Sequence, residues 1–186
     1  MWRSSARRAP ASHRCSACCS AGTASATANC WSTAQLWNTS LGDNLSFSSE
    51  VADGAPITAA MAGADLRGVV QRLPDGLRTP LGEGGGLLSG GEGQRVRLAR
   101  AMAQEHVRLV LLDEPFRGTD RQQRQRLLTS ARRHWAAATL LCATHDIAET
   151  LSFSRVLVIE NGRIVEDGNP ARLADTPSRY VPPMKF

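Results

Sequence analysis

At 186 residues, 42% of them hydrophobic, the chain has the length of one domain, and no apolar run nears the ~20 residues that cross a bilayer. Its formal charge of +5 comes mostly from Arg3, Arg7, Arg8 and Arg14, which precede the first acid, Asp43; the near-neutral remainder lacks the basic folded face that a nucleic-acid partner requires. Four of the five cysteines (Cys15, Cys18, Cys19, Cys30) share that same N-terminal stretch, so neither a disulfide framework nor an oxidising compartment is indicated.

Residues 1–35 contain no Leu, Ile or Val and show no apolar period. Such a stretch buries too little to offset ~1–2 kcal/mol of backbone entropy per residue, so it is expected to be a disordered or out-of-frame leader. An Arg- and Ser-rich transit peptide is one alternative. A metal site at His13, Cys15, Cys18 and Cys19 is another, weakened by the adjacency of Cys18 and Cys19 and by the lack of a second pair. Patterned sequence begins at Leu36, so the folded unit is expected to span 36–186.

Residues 57–73 read as helical, with Ile57, Met61, Leu66, Val69, Val70 and Leu73 as core positions. Pro74-Asp75-Gly76 reads as a turn, and 79–86 is too Gly-rich for regular structure. Ser89 opens a helix that continues through 95–102. The apolar run 107–112, ending in Asp113 and Glu114, reads as a buried parallel strand with its C-terminal edge at a site. Asp120 with Gln123 caps a helix that carries Leu127, Leu128, Ala131 and Trp135 on one side. Residues 139–143 read as a second buried strand, with Cys142 as a small core hydrophobe. Asp146 and Glu149 cap a short helix, and 155–160, Asn161-Gly162 and 163–166 form a hairpin. Strands alternating with helices imply an α/β fold with a mainly parallel sheet, flanking helices and a C-terminal β-hairpin.

Two stretches carry chemistry. Ser89-Gly90-Gly91-Glu92 is a capping box in its bland reading, but a cap does not call for two glycines at the helix mouth. Glycines let backbone N–H groups approach an anion closely, where the helix dipole also favours it. Asp113 and Glu114 end a strand before Pro115, and His145 follows the next apolar run. Asp113 suits a hard cation, and Glu114 suits a general base. No Gly-x-x-x-x-Gly-Lys-Ser/Thr loop occurs, and Lys185 is the only lysine.

The order Leu88-Ser89-Gly90-Gly91-Glu92-Gly93-Gln94-Arg95, Leu111-Leu112-Asp113-Glu114-Pro115 and His145 resembles the C-terminal part of an ATP-binding-cassette (ABC) ATPase domain of exporter type, over residues 36–186. The resemblance implies a partial P-loop ATPase fold that binds ATP and Mg²⁺. It makes Ser89, Gly90, Gly91 and Glu92 a signature loop that reaches nucleotide held by the opposite subunit. It makes Asp113 the Mg²⁺ residue, coordinating the ion through water, Glu114 the catalytic base, Asp120 the D-loop Asp and His145 the switch His. Ser32 stands where that family has its Q-loop Gln, and Gln35 is out of register; Arg117-Gly118-Thr119 departs from the family's Ser-Ala-Leu. The implied partners are a second nucleotide-binding domain and the transmembrane domains of an exporter, at the cytoplasmic face of a membrane. Without a P-loop the chain is expected to be a truncated domain, inactive alone. A non-catalytic donor of the signature loop and a chromosome-maintenance or DNA-repair ATPase are the competing readings; the latter carries long heptad repeats that are missing here.

Overall fold

The computed structural model describes residues 28–31, 35–46, 55–104, 106–175 and 180. Among the described residues three parallel strands form the main sheet: β1 (Ala28–Trp31), β2 (Leu109–Asp113) and β3 (Thr139–Ala143), with β2 in the middle. Ala28 lies opposite Leu109 on one side of β2, and Leu109 lies opposite Thr139 on the other. Val110 and Leu112 of β2 are buried. They join a core made with α4 (Gly90–Met102) and α5 (Arg121–His134), which supply Val96, Leu98, Met102, Leu127, Leu128 and Ala131.

β1 corrects the expectation that 1–35 is wholly unstructured. Strand pairing uses main-chain groups that every residue here carries, so four residues without Leu, Ile or Val can still lie along β2. The other residues of that stretch lie outside the described residues, apart from Gln35. A second correction concerns β3. Full burial requires cover on both faces and a neighbour on both sides. Among the described residues β3 pairs only with β2; Leu140 and Cys142 turn toward the core while Leu141 is 51% exposed. Burial and the nearby carboxylates Glu149, Glu114 and Asp113 push the Cys142 thiol up to about 12, consistent with an inert packing residue.

The expected helix over 57–73 is two helices, α2 (Ala55–Gly63) and α3 (Arg67–Arg72). Asp65 breaks them apart at φ +53°, a backbone setting that no helix accommodates. Leu66, Val69 and Leu73 are buried as expected, while Ile57, Met61 and Val70 pack half-buried at the core's margin. The Gly-rich stretch holds one 3₁₀ turn, Glu83–Gly85. Asp120 caps α5 through the Gln123 N–H, and Asp146 caps α6 (Ile147–Thr150) through the Ala148 N–H. β4 (Val156–Glu160) and β5 (Arg163–Gly168) form the expected hairpin, with Asn161 and Gly162 both at positive φ, as a type I′ turn requires. α7 (Pro170–Ala174) follows.

One buried polar network ties α1 (Leu41–Ser46) to α4. Arg100 is fully buried. Its Nε donates to the Asn44 carbonyl at 2.7 Å, Nη2 to Asn44 Oδ1 at 2.8 Å and Nη1 to the Gln35 carbonyl at 3.2 Å. Its guanidinium carbon stands 4.3 Å from the centroid of the Trp37 ring. Burial, reinforced by the nearby Arg97 charge, pulls its pKa down to about 10, so it remains cationic at neutral pH. Asn44, equally buried, also donates to Trp37, Thr39 and Ser40.

Candidate functional site

The sheet's C-terminal edge brings together the two residues expected to act on a nucleotide. β2 ends at Asp113, paired with Ala143 of β3. The Glu114 N–H extends that ladder by donating to the Ala143 carbonyl at 3.0 Å, but Glu114 itself sits at φ +46°. A non-glycine residue held in the left-handed region costs of order 1 kcal/mol or more and is characteristic of functional turns. Here it aims the carboxylate sideways at the loop after β3. Glu114 Oε1 accepts the His145 backbone N–H at 3.0 Å and lies 2.6 Å from His145 Nδ1. The imidazole is otherwise exposed.

Around this pair lies a cleft of about 480 Å³, lined by Glu114, Phe116, Arg117, Gly118, Arg124, His145, Asp146 and Glu149. The reading from sequence missed Arg124. Its guanidinium pairs with Asp146, beside His145, and with Glu149 Oε1 at 3.3 Å, so α5 holds the His145 loop. Glu149 is 7% exposed, and burial raises its carboxyl pKa against the lowering pull of Thr144 and Arg124. An arginine one turn inside a helix carries no sequence signal for this role; only the Asp146 and Glu149 pairing reveals it.

The capping box expected at Ser89 and Glu92 is formed. Ser89 Oγ accepts the Glu92 N–H, and Glu92 Oε2 accepts the Ser89 N–H at 2.8 Å. Glu92 Oε1 is also 2.6 Å from Arg72. Burial raises the Glu92 pKa, but Arg72 and Ser89 outweigh it and hold the carboxyl below its ordinary value. Its charge is therefore engaged in capping and in the α3 contact, whereas the Ser89 hydroxyl keeps its proton to donate. Space around Gly90 is open: an added Cβ there meets nothing within 4 Å. Gly91 is the opposite, because a Cβ would lie 2.5 Å from the Gly118 carbonyl oxygen. The Ser89–Glu92 loop and the 117–119 turn thus interlock through two glycines, and Gly118 adopts φ +78°.

The ABC transporter profile matches residues 25–117, half of the chain, from β1 through the strand-end acids. The chain belongs to the ABC transporter family. It is 32% identical over 146 residues to the ATP-dependent lipid A-core flippase of Saccharophagus degradans (strain 2-40), covering 78% of this chain and 25% of that protein. It is 37% identical over 146 residues, with the same coverage, to the mycobactin import ATP-binding/permease protein IrtB of Mycolicibacterium thermoresistibile. The structure of a bacterial Atm1-family ABC exporter with ATP bound superposes with a TM-score of 0.75 at 29% identity, over 82% of this chain and 27% of that one. The ABC chain described here spans about a quarter of the length of these relatives. No helix among the described residues is long and apolar enough to cross a membrane.

Among the described residues no group of three or more His, Cys, Asp or Glu is placed to hold a metal ion. Asp113 and Glu114 offer hard carboxylate oxygens of the kind Mg²⁺ prefers, and an ion there would take its remaining ligands from phosphate and water.

Proposed function

We propose that this chain is the C-terminal part of the ATP-binding domain of an ABC exporter, which works at the cytoplasmic face of a membrane beside transmembrane domains and a second nucleotide-binding domain. The Glu114–His145 contact at 2.6 Å carries this reading. It joins a strand-end carboxylate to an imidazole 31 residues away, at the sheet edge where open α/β sheets bind ligands. In this reading Glu114 polarises the attacking water and His145 touches the terminal phosphate. Asp113 would hold Mg²⁺, which would supply charge neutralisation on the phosphates. Asp120 orders the start of α5, whose Arg124 keeps the His145 loop in place.

No lysine-bearing loop of the kind that anchors β- and γ-phosphates occurs within these 186 residues, so within them Glu114 and His145 have no phosphate anchor. What the chain can give is its signature loop, Ser89, Gly90, Gly91 and Glu92, to ATP held by a P-loop-bearing partner. The similarity to transporter subunits supports this exporter reading over a DNA-repair ATPase. The test is phosphate release from Mg-ATP. The chain alone is expected to show no Glu114-dependent turnover. Mixed with a P-loop-bearing ABC domain whose own signature Ser is replaced by Arg, it is expected to restore that domain's turnover. Ser89→Arg should abolish the restoration by filling the phosphate position with bulk. Turnover by the chain alone that disappears in Glu114→Gln, or failure to restore the partner, overturns the reading.

A further inference from the structure

We infer that Arg72 is a positioning residue of the signature-loop site: it holds the Glu92 carboxylate against α3 and cancels its charge, so that the phosphates of a nucleoside triphosphate can close on Ser89, Gly90 and Gly91. This rests on the preceding reading of the loop as a donor in trans.

The cap at this helix mouth needs an acceptor at position 92 but no charge, because a Gln side chain closes a capping box as a Glu does. Glu92 nevertheless brings a carboxylate to the start of α4, where free N–H groups and the helix dipole favour an anion. Burial opposes its ionisation, but Arg72 and Ser89 prevail and keep it charged at neutral pH. A bare carboxylate in that place repels the anion the loop would otherwise attract. Near a protein surface, a like charge about 10 Å away shifts an equilibrium by roughly tenfold.

The local geometry deals with that charge. Glu92 Oε2 accepts the Ser89 N–H at 2.8 Å, and Oε1 lies 2.6 Å from Arg72 Nη2. Each carboxylate oxygen is thus engaged, and the side chain is largely covered. Arg72 ends α3 between Val69 and Leu73, both of which are buried, so its backbone is anchored to the core. The space beside Gly90 stays open, with nothing within 4 Å of an added Cβ. The loop therefore offers its hydroxyl and N–H groups with its own carboxylate already neutralised. A pair that merely braced the loop against α3 would have the same geometry. The two roles part when the carboxylate is removed together with its partner: a charge effect then vanishes, whereas a broken brace stays broken.

The experiment uses the full chain, Mg-ATP and the same P-loop-bearing partner with its own signature Ser replaced by Arg. Restored turnover is measured for the unaltered chain, Arg72→Ala, Arg72→Lys and the double variant Arg72→Ala/Glu92→Gln, with thermal unfolding alongside. Arg72→Ala is expected to lower restored turnover about tenfold, and Arg72→Lys, which keeps a cation beside Glu92, should recover most of the loss. The double variant is expected to return to within about twofold of the unaltered chain, since Gln keeps the cap and removes the charge. A double variant no better than Arg72→Ala, folded or not, overturns the inference, because the pair is then a brace. Restoration by Arg72→Ala equal to that of the unaltered chain also overturns it and leaves the signature-loop reading standing. No restoration by the unaltered chain overturns both.

Discussion

Replacing Arg100 with Met is expected to destabilise the fold by about 3–5 kcal/mol, the range seen when one member of a buried charged network is removed. Met fills much of the volume but restores none of the polar contacts. The Asn44 carbonyl, Asn44 Oδ1 and the Gln35 carbonyl each lose a donor they now receive from Arg100. Asn44 Oδ1 keeps the Trp37 N–H at 3.0 Å, but a buried acceptor left without any donor costs ~1–3 kcal/mol, and the Trp37 face loses its cation as well. Against a typical domain stability of ~5–15 kcal/mol this is a large fraction. Arg100→Lys should recover little, since one ammonium cannot reach three acceptors spread over a planar fork. Urea unfolding followed by tryptophan fluorescence reads the shift in midpoint, and hydrogen exchange over residues 36–46 reads whether α1 detaches first. A loss under 1 kcal/mol in Arg100→Met would show that the network does not hold α1 to α4.

The second large effect is expected at the glycine pair of the signature loop, where two substitutions of the same kind should part company. Gly91→Ala drives a methyl to 2.5 Å from the Gly118 carbonyl oxygen, and backbone cannot swing aside as a side-chain tip can. Overpacking of this kind costs ~1–3 kcal/mol, of which better helix propensity offsets ~1 kcal/mol. The loop or the turn must then shift, and displacement near an ångström in a phosphate site costs about 10²-fold in rate. Gly90→Ala meets nothing within 4 Å in the chain itself, so it should leave stability unchanged or raise it by ~0.4–1 kcal/mol. Its methyl nevertheless occupies the approach a phosphate would take. Restored turnover should therefore fall in both variants, while thermal unfolding falls only in Gly91→Ala. Full activity in Gly91→Ala would show that the interlock with Gly118 is not needed.

Local signals carried much of the architecture. Ser89 with Glu92, Asp120 with Gln123 and Asn161-Gly162 are short-range devices, and each is formed as the sequence indicates. Leu127, Leu128, Ala131 and Trp135 are buried along one side of α5, as helical periodicity requires. What failed depended on distant chain. β1 is set by the edge of β2 and not by its own composition. β3 reads as buried because its residues are apolar, yet burial is decided by what lies beside a strand, which composition does not record. The break between α2 and α3 turns on a single left-handed Asp65, whose carbonyl accepts from Arg95 at 2.5 Å, thirty residues on. At the site, the spacing of Glu114 and His145 was legible as a family pattern, and the structure places the two side chains 2.6 Å apart. Arg100 and Arg124 were not legible, since an arginine inside a helix reads as solvent-facing until its partners are known.

The half-open sheet also sets how this chain behaves in a crowd. Among the described residues the outer side of β3 presents main-chain donors and acceptors with Leu141 beside them, and the β4–β5 hairpin exposes Ile159 and Ile164. No lysine, proline or bulge guards that strand. Edges of this kind recruit other edges, including those of identical molecules. Folding is first order in protein, but edge-to-edge capture rises with the square of its concentration. If nothing else covers that edge, light scattering is expected to show association that grows with concentration, and none across a roughly tenfold range would show the edge to be covered.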